Sequence, residues 1–133
     1  MIRQRIYLPS YRWTVFVFYD VGYEDAKQVV WMMEDLGAGD NAIIDAWDNL
    51  THGPNNGLTW SDFDYRVSVM AIGHASSPEE YWDTLDHEKG HLATHIATAC
   101  RIEPEGEERQ YLSGDLAKMM FPIASQYVCE CLK

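Results

Sequence analysis

His87-Glu88-Lys89-Gly90-His91 is the stretch of this chain whose residue types and spacing most directly suggest chemistry. Two histidines four residues apart, with a glutamate directly after the first, form an H-E-x-x-H pattern. On an α-helix, positions i and i+4 lie about 40° apart around the axis and one turn apart along it. Two imidazoles so placed converge on one ion at roughly 2.0–2.1 Å. Glu88 projects about 100° around the helix from His87. It stands near the ion without being forced to ligate it, and there it can take a proton from a metal-activated water. The pattern therefore points to Zn2+ held by His87 and His91, with Glu88 as general base.

This chemistry requires a helix, and the flanking residues supply one. Ser77-Pro78-Glu79-Glu80 places a capping hydroxyl, a proline start and a glutamate of a capping box in order. The helix is predicted from Pro78 to about Cys100, roughly 30 Å long. Trp82, Leu85, Leu92 and Ile96 give it apolar positions, while Asp83, Thr84, Thr94 and Thr98 form a polar stripe near the histidines. Such a stripe is costly unless it lines a site. Asp83, one turn before His87, is placed either to orient the His87 ring or to favour the helix N-terminus as a first-turn acid.

Two histidines leave the ion one protein ligand short. His95, Asp115, Glu107 and Glu108 are the candidates. His95 continues the series but lies about 12 Å along the axis from His87, too far for a straight helix to bring all three to one ion. A carboxylate from the next helix is easier. Pro104 and Gly106 break the chain, and a last helix is expected from near Glu107 to about Met120. Phe121-Pro122 is placed to kink it before the segment Ile123 to Leu132. Glu108 shares a face with Leu112, Leu116 and Met119, so it too can point inward.

The remaining elements read as follows. Thr14 to Tyr19 (TVFVFY) is β-branched and aromatic, which suits a buried strand. Tyr23 to Leu36 has apolar residues at helical spacing, stopped by Gly37 and Gly39. Asp40 or Asn41 is expected to cap a shorter helix through about Leu50. Gly53-Pro54-Asn55-Asn56-Gly57 is a turn cluster after which a strand pair is expected. Asp64 to Ile72 alternates, with Tyr65, Val67, Val69 and Ala71 on one face and Arg66, Ser68, Met70 and Ile72 on the other. That mixed outer face suits an edge or near-edge strand.

HEKGH on one helix and Glu107-Glu108-Arg109-Gln110-Tyr111-Leu112-Ser113-Gly114 on the next resemble the gluzincin group of zincin metallopeptidases. Residues 64–120 are similar in layout to small zincin-like proteins of bacteria and their phages. The resemblance implies one zincin-like α+β domain over residues 1–133. It implies a small mixed sheet, with an edge strand over the H-E-x-x-H helix and a following helix that carries a Glu ligand. It favours Glu107 over Glu108 as that ligand, because Gly114 is the small residue seven positions on. The position four after the ligand, an Asp in the larger gluzincins, is Tyr111 here. The implied function is zinc-dependent hydrolysis of peptide bonds in a peptide or protein substrate. Tyr111, one turn after Glu107, and His74 are candidate donors to an oxyanion, each with a packing or loop role as the alternative. An edge strand can also pair with an extended peptide. The competing readings are a catalytically degenerate zincin serving as a protein-binding module, and a metal-independent interaction protein.

Composition narrows these classes. At 133 residues the chain makes one domain of ordinary size, and 47% hydrophobic residues supply a core. A net charge of −11 disfavours nucleic acid and favours metal ions and other cations. Cys100, Cys129 and Cys131 form no C-x-x-C pair, which argues against a disulfide framework or zinc ribbon and suits a cytoplasmic setting. Arg3 and Arg5 begin no convincing leader, and no apolar run approaches the roughly 20 residues that span a bilayer.

Overall fold

The run expected as a buried strand lies in the middle of a four-stranded sheet. In the computed structural model, which describes residues 1–128, the strands are β1 (Ile2–Leu8), β2 (Trp13–Val21), β3 (Gly57–Asp62) and β4 (Val67–Gly73). Their order is β1-β2-β4-β3. β2 and β4 are parallel and the outer pairs are antiparallel, so the sheet is mixed. Among the described residues four α-helices accompany it in an α+β arrangement: α1 (Ala26–Asp35), α2 (Asp40–Thr51), α3 (Pro78–Cys100) and α4 (Glu107–Val128). Cys129 and Cys131 lie outside the described residues. Among the described residues, no helix is long and apolar enough to cross a membrane.

Alternation along the strands splits the core in two. Val15, Val17 and Tyr19 of β2, with Met70 and Ile72 of β4, pack against Leu85, Leu92 and Ile96 of α3 and Leu112, Leu116 and Met120 of α4. Phe18, Val69 and Ala71 face the other way, onto Val29, Val30 and Met33 of α1 and Ala46 and Leu50 of α2. The sheet is thus covered by a helix pair on each face.

The structure sharpens three expectations. The two faces assigned to Asp64–Ile72 are correct in parity, but all seven residues of β4 are buried. β4 is the near-edge strand, flanked by β2 and β3, and the edge falls on β3. Asp40 is the first helical residue of α2, not its cap; Gly39 holds the cap position without a side-chain bond. α4 continues through Pro122 to Val128. β1 had no expectation, because Arg3 and Arg5 read as a basic stretch. They are the exposed half of a period-2 pattern whose Ile6 and Leu8 are buried.

α3 begins and ends where the sequence indicates. Ser77 Oγ accepts from the Glu80 N–H at 3.2 Å, with Pro78 in the first turn. At the far end Arg101 adopts a left-handed conformation, φ 56°, and the Ile102 N–H donates to the Ala97 carbonyl at 2.8 Å.

Candidate metal and catalytic site

β3 lies alongside α3, and the strand's alternation decides what touches the helix. Gly57, Thr59 and Ser61 face α3. A Cβ at Gly57 would stand 2.8 Å from Thr84 Cγ2 and 2.9 Å from Glu88 Cγ, so only glycine lets strand and helix approach this closely. Thr59 Oγ1 lies 2.9 Å from Glu88 Oε1 and 3.2 Å from the Glu88 carbonyl, and it donates to Glu88. Ser61 Oγ lies 2.7 Å from His95 Nδ1. Leu58 and Trp60, on the opposite face, pack with α1 and α2.

Between β3 and α3 opens a cleft of about 680 Å³, lined by His87, Glu88, His91, His95, Asp83 and Thr84. Asn49 of α2 and Asn55 and Asn56 of the preceding turn complete its wall. Glu88 is 6% exposed, a buried carboxyl on the cleft wall held by the Thr59 hydroxyl. The two histidines are exposed. Their Nε2 atoms stand 3.0 Å apart with the rings at 89°. His95 is half-buried, and burial, helped by the neighbouring His91, pushes its pKa below the usual histidine value.

This arrangement can be tested against zinc. Two nitrogens each about 2.05 Å from a tetrahedral ion stand roughly 3.3–3.4 Å apart. The observed 3.0 Å is a few tenths of an ångström short of that, within reach of a small ring rotation. The donor chemistry also fits: two imidazole nitrogens face each other in a cleft with a buried carboxyl beside them. His87 and His91 thus suit a two-histidine anchor. Among the described residues, no group of three or more His, Cys, Asp or Glu side chains is placed to hold an ion.

The other sequence candidates sit elsewhere. Glu107 is exposed in the first turn of α4 and is not part of the cleft lining. Glu108 accepts from the Tyr11 hydroxyl at 3.3 Å. Asp115 is exposed on α4, outside the cleft lining. Tyr111 is 68% exposed and also lies outside the lining. Arg109 ties the start of α4 to α3, donating from Nη2 to the Gly90 carbonyl at 3.2 Å and to Thr94 Oγ1 at 3.1 Å. His74 pairs with Asp20 at 2.8 Å and lines a separate small cavity with Tyr81 and Tyr127. Asp83 lines the cleft, but the contact made by the His87 ring is to His91. The polar stripe divides: Thr84 bonds the Asn55 carbonyl at 3.3 Å, Thr94 meets Arg109, and Thr98 is exposed.

Sequence reasoning missed Thr59, Ser61 and Asn49. The signal for the first two was present: small and hydroxyl residues at 57, 59 and 61 alternate with Leu58 and Trp60. Asn49 carries no such pattern. Comparison with protein-family models, curated proteins and solved structures finds no significant match for this chain.

Proposed function

We propose that this protein is a zinc-dependent metallopeptidase. One observation carries the reading: His87 and His91 turn their Nε2 atoms toward each other in an open cleft whose wall holds the buried Glu88. His87 and His91 would hold the ion. Glu107, from the resemblance, is the proposed third ligand. Arg109 anchors its helix turn beside the α3 segment that carries His91, and the Glu107 side chain is exposed. When bound, zinc acidifies water and polarises a carbonyl.

The chain's own residues supply the rest. Glu88 accepts the proton of the attacking water at a carboxylate oxygen and returns it to the leaving amine. Thr59 holds that carboxyl in one orientation by donating to Oε1. β3 is an edge strand, so its outer backbone groups are available to pair with an extended peptide beside the histidines. Such pairing reads main chain and suits a peptide or protein substrate. The two cleft carboxylates, Asp83 and Glu88, agree with a preference for neutral or cationic segments over acidic ones.

Removal of metal tests this reading. Protein stripped with a chelator should lose cleavage of an unstructured peptide library, and one equivalent of Zn2+ should restore it. Cleavage that survives stripping would contradict the proposal, as would its absence from zinc-loaded protein.

A further inference from the structure

A polar chain runs from the interior of the sheet to the cleft. Trp13 Nε1 donates to Ser68 Oγ at 2.8 Å. The Ser68 and Ser61 hydroxyls lie 2.6 Å apart, and Ser61 Oγ lies 2.7 Å from His95 Nδ1. Trp13 and Ser68 are both 0% exposed, so no water can substitute for a missing partner at that end.

The proton inventory gives the chain a direction. An indole N–H only donates, each hydroxyl has one proton, and a neutral imidazole has one N–H and one bare acceptor nitrogen. Trp13 must donate to Ser68. The Ser68 proton then goes to Ser61, its other neighbour in the chain, and the Ser61 proton goes to His95 Nδ1. Every proton is used. A proton on Nδ1 breaks the order: Ser61 becomes an acceptor from His95, and one serine hydroxyl proton in the chain has no acceptor. That orphaned proton belongs either to Ser68, which is fully buried, or to the part-buried Ser61, and the order with a bare Nδ1 leaves neither unmatched.

We infer that this chain holds His95 as a neutral imidazole with its proton on Nε2, making that N–H a fixed hydrogen-bond donor to a substrate carbonyl oxygen or oxyanion in the cleft. Nε2 is the ring nitrogen the chain leaves free, and His95 lines the cleft one turn beyond His91. Phe63 packs against the ring, with centroids 5.6 Å apart at 67°, and restricts its rotation. A donor whose orientation is set before substrate arrives needs no reorganisation as charge develops. Ser61 and Ser68 act as positioning residues through His95. The tautomer follows from the hydrogen bonds alone; the donor role rests on the hydrolase reading.

Two measurements test the two halves. In metal-free protein near neutral pH, long-range 1H–15N spectra should show His95 with a protonated Nε2 and a bare Nδ1. Ser61→Thr should keep that signature, and Ser61→Ala should give a mixture of tautomers. A proton on Nδ1 in the wild-type protein, or a Ser61→Ala spectrum identical to wild type, would overturn the assignment. In zinc-loaded protein, a phosphoramidate dipeptide that mimics the tetrahedral oxyanion should bind about tenfold more weakly to His95→Ala, with part recovered in His95→Gln. Equal binding by wild type and His95→Ala removes the donor role and leaves the metallopeptidase reading standing. Failure of the wild-type protein to bind the probe removes both and leaves the tautomer assignment intact.

Discussion

Glu88→Gln is expected to lower peptide cleavage by roughly a hundredfold to ten-thousandfold, the usual contribution of a positioned general base. The substitution is nearly isosteric, and the amide oxygen can still accept from Thr59 Oγ1, now 2.9 Å from the carboxylate. The cleft wall should therefore keep its shape. Glutamine cannot take up a proton at neutral pH, so only the proton transfer is lost. Zinc content and thermal stability should match the wild-type protein, which separates a chemical defect from a folding one. Undiminished cleavage by Glu88→Gln would remove Glu88 from the mechanism while leaving the histidine anchor untouched.

The second large effect falls on stability. Trp13→Ala should cost about 4–6 kcal/mol. Truncating a fully buried tryptophan costs roughly 3–5 kcal/mol, and the loss of the indole donor to Ser68 adds about 1 kcal/mol. Trp13 is 0% exposed, begins the central strand β2 and packs in the core shared with α3 and α4. Against a total stability of about 5–15 kcal/mol for a domain, that loss leaves a marginal fold or none. Trp13→Phe keeps most of the ring volume and should cost much less, about 1–2 kcal/mol. Urea unfolding midpoints of the two variants measure the difference. Similar midpoints for wild type and Trp13→Ala would mean that β2 is not the anchor described here.

The parts legible in the sequence are those written in local pattern. The Ser77-Pro78 start and the H-E-x-x-H spacing specify α3 and its histidine pair without reference to anything distant, and α3 spans Pro78–Cys100 as expected. The TVFVFY run announces β2 because two buried faces require a nearly continuous apolar stretch. What the sequence obscured depends on pairing. β4 looked like an edge candidate because Arg66 and Ser68 are polar, yet Ser68 is buried through its bonds to Trp13 and Ser61. The edge passed to β3, whose short Gly-Leu-Thr-Trp-Ser-Asp run reveals its role only once α3 lies against it. The orientation of α4 shows the same limit. Glu107 and Glu108 are adjacent in sequence, and which one points where depends on packing against α3 and on the bond from Tyr11 to Glu108. Periodicity places Leu112 and Leu116 inward, as found, but it also grouped Met119 with them, whereas Met119 is exposed and Met120 is buried; nor does it rank two neighbouring carboxylates at a helix start.

His87 and His91 are proposed to hold a metal ion. Metal analysis of purified protein never exposed to chelator measures this most directly. About one zinc ion per chain is expected, bound by deprotonated ligands and therefore released at acid pH. It should be retained in Glu88→Gln, lost in His87→Ala and His91→Ala, and weakened in Glu107→Gln. A wild-type protein that binds no metal, or one that keeps its zinc after both histidines are removed, would contradict the account.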